Sequence, residues 1–206
     1  MQQHAIRRSE GLVPRLWHAW LDRVNHGMVC GDQLIYGNGM AGPEKATDPT
    51  IVDDRHDFDF YHGRWRVRNE RLRERLRGSK DWETFEALQE CHPILGGLGN
   101  VDDFVTEWSD GFRGMTLRLF NPQTRQWSIY WAGNRSGVLE PPVLGRFDEG
   151  VGVFFGDDRH EDQPVRVRFL WSDITAHSAH WQQAFSIDDG SSWETNWHMY
   201  MTRCDD

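Results

Sequence analysis

Four side chains are placed to work on a small molecule by hydrogen bonding or proton transfer: Asn69, Gln89, Gln183 and Glu140. Three are amides that recur at every second position among apolar residues. Asn69 follows Trp65 and Val67, Gln89 follows Phe85 and Ala87, and Gln183 lies between Trp181 and Phe185. Amides in such company are fixed donors and acceptors. They can orient a carbonyl or hydroxyl and stabilise developing charge without exchanging a proton. Glu140 differs: it shares a polar segment with Asn134 and Arg135, just before Pro141-Pro142. A carboxyl there serves as general acid or base once desolvated, and Arg135 suits a carboxylate or carbonyl. The competing reading of this segment is a polar turn with a surface ion pair.

The other positions that alternation turns inward are mostly aromatic. Trp108, Trp127, Trp131, Phe169 and Trp171 would form one part of a ligand-contacting wall, and Trp181, Phe185 and Trp197 another. Cys91, Thr106 and Thr195 add sparse polarity, and Arg71 joins them if the first strand runs without a bulge. An apolar pocket with a few placed polar groups is the usual form of a small-molecule site. The alternative is a filled interior in which these polar groups bond one another.

These residues need strands to hold them. From His56 onward hydrophobicity repeats every second residue, giving strands over 63–73, 82–92, 102–109, 113–120, 126–132, 142–148, 151–156, 164–172, 178–187 and 192–203. Turn-forming pairs such as Asn121-Pro122, Glu149-Gly150 and Asp189-Gly190 separate them. Many short strands with tight turns and no intervening helical period predict an all-β sandwich or barrel. Arg64, Arg66, Arg68, Arg166 and Arg168 are assigned outward, so their apolar neighbours face in. In the last strand the same rule turns Trp193, Thr195, Trp197, Met199 and Met201 inward, and Glu194, Asn196 and His198 outward. A bulge would reverse the faces beyond it. The arginines between Arg64 and Arg77 read as a solvated face answered by Glu70, Glu74, Glu83 and Glu86. Residues 1–55 read differently, as an amphipathic helix over 12–26 and then an irregular arm or lid, with the barrel over 56–206.

The stretch Gly63-Arg64-Trp65 resembles the opening of the first strand of a lipocalin-like (calycin) barrel, with Arg203 in place for the family's terminal arginine. The resemblance implies an antiparallel β-barrel of about eight to ten strands, whose closed end is plugged by Trp65 under the Arg203 guanidinium. Leu95-Gly96-Gly97-Leu98-Gly99-Asn100, Leu117-Arg118-Leu119-Phe120-Asn121-Pro122, Trp127-Ser128-Ile129-Tyr130-Trp131 and Trp193-Glu194-Thr195-Asn196-Trp197 resemble signatures of a bacterial lipocalin-like domain family of unknown function. A more distant resemblance to nitrobindin-type barrels makes His198 a candidate haem ligand. The resemblance covers 56–203, and calycin barrels include carriers, haem proteins and cyclases.

Composition narrows the function classes. A net charge of −9 over 206 residues argues against nucleic acid and against an anionic membrane surface. Three scattered cysteines form no CxxC pair, so no zinc knuckle or disulfide framework is expected. The acidic run 157–162 and the His177/His180 pair lack metal-site spacing, so no metal is expected. The expectation is a cytoplasmic protein without a cofactor that holds a small hydrophobic or aromatic ligand, with a homodimer as one option. Three functions stay open: a cofactor-independent cyclase or isomerase, slightly favoured because no export signal is read; a carrier or sensor; and a haem protein.

Overall fold

In the computed structural model residues 53–204 are described. The expected helix over 12–26 and nearly all of the expected arm lie outside the described residues. Ten antiparallel strands form a closed barrel. They are β1 Gly63–Leu72, β2 Trp82–Ile94, β3 Gly99–Val105, β4 Arg113–Asn121 and β5 Gln126–Gly133. The second half comprises β6 Val143–Asp148, β7 Val151–His160, β8 Gln163–Ser172, β9 Ser178–Ser186 and β10 Glu194–Arg203. Each strand pairs with its chain neighbours, and β1 closes on β10 with Trp65 opposite Arg203 and Arg71 opposite Trp197. Closure leaves no unpaired sheet edge. Among the described residues no helix is long and apolar enough to cross a membrane.

The all-β architecture expected from period-two patterning is therefore present, as the antiparallel barrel that the family resemblance implied, with strand limits close to those read from sequence. Two differences have local causes. β3 starts at Gly99 and ends at Val105, because residues 108–111 form a tight turn in which Ser109, Asp110 and Gly111 take positive φ. β7 continues through Asp157 to His160, whose partners are Arg166 to Gln163 on β8, so the acidic run is strand and the turn is Glu161-Asp162.

One end is plugged. Gly63 has φ +101, a conformation that side chains resist, and a Cβ there would sit 3.1 Å from the Arg203 guanidinium. That permits the chain to drop Trp65, 0% exposed, into the barrel. The Arg203 guanidinium covers its indole at 4.2 Å and is anchored to the carbonyls of Phe60, His62 and Ala176. Phe58, Tyr61, Trp127, Phe147 and Trp171 complete the plug, with Phe58 4.9 Å from Phe147 and 5.0 Å from Trp127, both edge-on.

The other end is looser. β5 and β6 pair only through Trp127–Ile129 and Val143–Gly145. Pro141 and Pro142 carry no N–H to extend that ladder, so the strands part toward the open rim. The loop between them returns through one bond, from Glu140 N–H to the Trp131 carbonyl at 2.8 Å.

The acids just before β1 give a testable pH effect. Burial, with Asp54 beside it, pushes Asp57 up to about 6, and its Oδ2 is buried without a hydrogen bond from any described residue. The folded state thus binds more protons than the unfolded one between 3.8 and about 6, so this group's contribution is lost as pH rises through that window. Asp57→Asn is expected to raise stability at pH 7 by about 1–2 kcal/mol and to flatten that pH dependence. Thermal unfolding of both proteins at pH 4.5 and 7 checks it; equal gains at both pH values would contradict it.

Candidate ligand-binding cavity

Above the plug the barrel encloses a cavity of about 340 Å³ that opens at the looser rim. Its walls are aromatic. Trp108 and Trp131 come from the β3–β5 side, and Phe169, Trp181, Phe185 and Trp197 from the β8–β10 side. Phe169 meets Trp181 edge-on at 4.8 Å, and Trp108 stacks on Phe85 at 4.4 Å. Gly114 sets the pose of Trp131: a Cβ there would fall 2.1 Å from the indole, so only glycine lets the ring lie across β4.

The floor is a polar network. Arg118 on β4 is buried against Asp102 on β3, with side chains 3% and 0% exposed. Arg118 Nη1 donates to Asp102 Oδ2 at 2.5 Å and to Asn100 Oδ1 at 3.0 Å. Gln89 Nε2 donates to Asp102 Oδ1 at 3.1 Å, and the Tyr61 hydroxyl donates to Gln89 Oε1 at 2.6 Å. The guanidinium also lies over the Tyr61, Phe58 and Trp171 rings. Burial and the neighbouring Asp102 charge hold Tyr61 well above the usual phenol range, and burial pushes Cys91 up to about 12. Both therefore stay protonated at neutral pH, and neither is an activated base or nucleophile. Two donors remain open: among the described residues Arg118 Nε and Trp171 Nε1 are buried without an acceptor, and both residues line the cavity.

The rim carries charge. Arg71, Arg75, Arg135, Glu140, Asp157 and Asp158 surround the opening. Partial burial, with Asp158 adding repulsion, raises the Glu140 carboxyl above its ordinary range. Arg135 donates to the Ser109 hydroxyl and carbonyl and faces the Phe112 ring at 5.7 Å.

The structure brings most of the residues singled out from sequence to this cavity. Gln89, Gln183, Glu140, Arg71 and Arg135 line it, as do Trp108, Trp131, Phe169, Trp171, Trp181, Phe185 and Trp197. Five do not. Asn69 is buried beside it, donating to the Val67 carbonyl and accepting from Trp197 Nε1 at 3.0 Å, so it orients a wall residue. Cys91 and Trp127 point inward but belong to the packed closed end. Thr106 lies past the end of β3, where its hydroxyl donates to the Glu86 carbonyl and accepts from the Trp108 N–H. Thr195 is displaced by a bulge in β10 between Thr195 and Trp197. Beyond that bulge the faces reverse: Asn196, expected outside, is 0% exposed and accepts from Gln183 Nε2 at 2.9 Å. Trp193, expected inside, packs on the outer face against Phe155 and Arg168.

Sequence reasoning missed Arg118, Asp102, Asn100, Thr116 and Arg75. Four of these sit on inner positions of the β3–β4 hairpin, where Leu117 and Leu119 take the outer face. The signal was the shared parity of Asn100, Asp102 and Phe104 with Thr116, Arg118 and Phe120.

No family model matches the chain, and no curated protein matches it. Among solved structures, the S-type phycobiliprotein lyase CPES from Guillardia theta is similar at a TM-score of 0.48. That likeness spans 76% of this chain and 99% of the lyase chain at 8% identity. At that level it says nothing about what this barrel holds.

His198 lies on the outer face, as its alternation with Trp197 and Met199 required. It is bonded to His180 at 3.1 Å and flanked by the Trp82 ring. No histidine among the described residues lines the cavity, so the haem expectation loses its axial ligand.

Proposed function

We propose that the barrel binds a small aromatic or hydrophobic organic molecule in its cavity. The observation that carries this reading is the pairing of an aromatic-walled space of about 340 Å³ with two buried N–H donors, on Arg118 and Trp171, that have no acceptor among the described residues. Buried donors are almost always paired in folded proteins, so a partner inside the cavity is the economical account. The ring system would lie among Trp131, Trp181 and Trp197, and a neutral carbonyl or hydroxyl would reach the floor donors. Arg118 is already neutralised by Asp102, so a full negative charge there would be buried uncompensated.

A second reading makes the barrel a cofactor-independent cyclase or isomerase acting on the same molecule. The raised Glu140 carboxyl favours it, because a carboxyl protonated nearer neutral pH is a better general acid. Gln89 and Gln183 would orient the substrate, and the aromatic walls would hold it in a reactive shape.

Binding is tested with N-phenyl-1-naphthylamine, a neutral aromatic dye that brightens in apolar surroundings. Saturable one-to-one binding with energy transfer from tryptophan is expected. Emission that rises linearly without saturating would overturn the reading.

A further inference from the structure

Arg71 and Arg75 stand where the cavity opens; Arg71 shares its carboxylate with Arg73, and Arg75 has none among the described residues. Arg71, on the inner face of β1, lies 5.1 Å from the Trp108 ring and 5.3 Å from the Trp197 ring. Its ion-pair contact is to Glu83 at 3.4 Å, but Glu83 also accepts from Arg73 and from Trp108 Nε1. Arg71 Nε is buried without a partner among the described residues. Arg75, in the loop after β1, has no ion-pair partner among the described residues. Its guanidinium faces the Phe185 ring at 5.6 Å, and Nη2 is buried without a hydrogen bond.

The nearby carboxylates of Glu194 and Asp158 offset part of this charge from a distance, but among the described residues neither forms an ion pair with Arg71 or Arg75. Glu194 accepts from the Leu76 N–H at 2.6 Å, and Asp158 accepts from the Arg159 N–H at 2.7 Å. The cations also oppose one another: burial, with Arg71 adding repulsion, pushes Arg75 down to about 10, and Arg135 adds to the cost at Arg71. Guanidinium groups kept together and half-desolvated without full neutralisation are costly unless an anion joins them. Their planar forks match a carboxylate, sulfonate or phosphate group, and an adjoining aromatic wall excludes competing water.

We infer that the cavity is built for an amphipathic organic anion, with its ring system between the tryptophan walls and its anionic group at the rim against Arg71 and Arg75. The inference rests on the reading of the cavity as a ligand site and adds the charge and orientation of the ligand. The floor takes the neutral end because Asp102 already balances Arg118. The rim takes the charged end because Arg71 shares its carboxylate, Arg75 is in no ion pair among the described residues, and both lie close to solvent.

Two dyes of nearly the same ring body separate the outcomes: 1-anilinonaphthalene-8-sulfonate, which is anionic, and N-phenyl-1-naphthylamine, which is neutral. The full-length wild-type chain is expected to bind the sulfonate about 10-fold more tightly, and added salt should weaken only the sulfonate. Arg75→Met is expected to cut sulfonate affinity about 10-fold and to leave the neutral dye within about 2-fold, the size of one charge-assisted hydrogen bond. Arg75→Lys should retain most of the sulfonate affinity. Near-UV circular dichroism confirms that the variants keep the wild-type fold. Equal wild-type affinities, or equal losses of both dyes in Arg75→Met, would overturn the anion site and leave the cavity reading standing. Failure of the wild-type chain to bind either dye would remove both.

Discussion

Arg118→Met is expected to cost about 3–5 kcal/mol of stability at pH 8, which lowers Tm by roughly 10 °C in a domain of this size. The methionine fills much of the arginine's space, so lost packing is a minor part of the effect. The larger part is electrostatic. Asp102 would keep a single donor, Gln89 Nε2, inside a site where its side chain is 0% exposed. A buried carboxylate stripped of its cation is costly, because little remains to replace its lost hydration. Arg118→Met with Asp102→Leu should recover most of the loss, because removing both charges leaves neither uncompensated. Exposed pairs set the contrast: Arg77→Ala breaks an ion pair 64% and 65% exposed, and should change stability by less than about 0.5 kcal/mol. Urea unfolding at pH 8 checks the set. A single variant as stable as wild type at pH 8 would show that the pair is not buried as described.

The second large effect concerns binding and should leave stability nearly unchanged. Thr116 lines the cavity from β4, and among the described residues its hydroxyl has no hydrogen-bond partner, so its replacement orphans none of them. Thr116→Trp would place an indole in the space proposed for the ligand. In a packed interior such a substitution forces neighbours aside and costs about 1–3 kcal/mol. In a cavity it buries apolar surface with little strain. Affinity for N-phenyl-1-naphthylamine is expected to fall at least about 100-fold while Tm stays within about 3 °C of wild type. Dye titration and thermal unfolding on one preparation test both halves. A large loss of Tm with unchanged binding would mean that the barrel is filled and the dye binds elsewhere.

The strands were legible because solvent-facing charge alternates with apolar residues on β1 and β8, and because glycine, asparagine and aspartate mark the turns between them. The plug was legible only through the family resemblance that Gly63, Trp65 and Arg203 carry. Several features of the cavity were not. On β4 the usual rule inverts: Leu117 and Leu119 lie outside while Arg118 is buried, because Asp102 on the neighbouring strand neutralises it. A charge is assigned outward until its partner is known, and pairing across a hairpin is a property of register, which one strand does not contain. The bulge before Trp197 hid Asn196 in the same way, since one extra residue exchanges the faces on either side of it. Parity also cannot say how deep an inward residue sits. Trp127 and Trp131 share a face of β5, yet Trp127 packs against Phe58 in the plug and Trp131 lines the cavity. Arg75 follows the end of β1, where alternation no longer applies, and its place at the rim comes from the loop alone.

The most direct test is a crystal structure of the full-length protein grown with 1-anilinonaphthalene-8-sulfonate. The rings are expected inside the barrel between Trp131, Trp181 and Trp197, with the sulfonate at hydrogen-bonding distance from Arg71 or Arg75. A barrel interior closed by its own side chains, with the dye on the outer surface, would contradict the account.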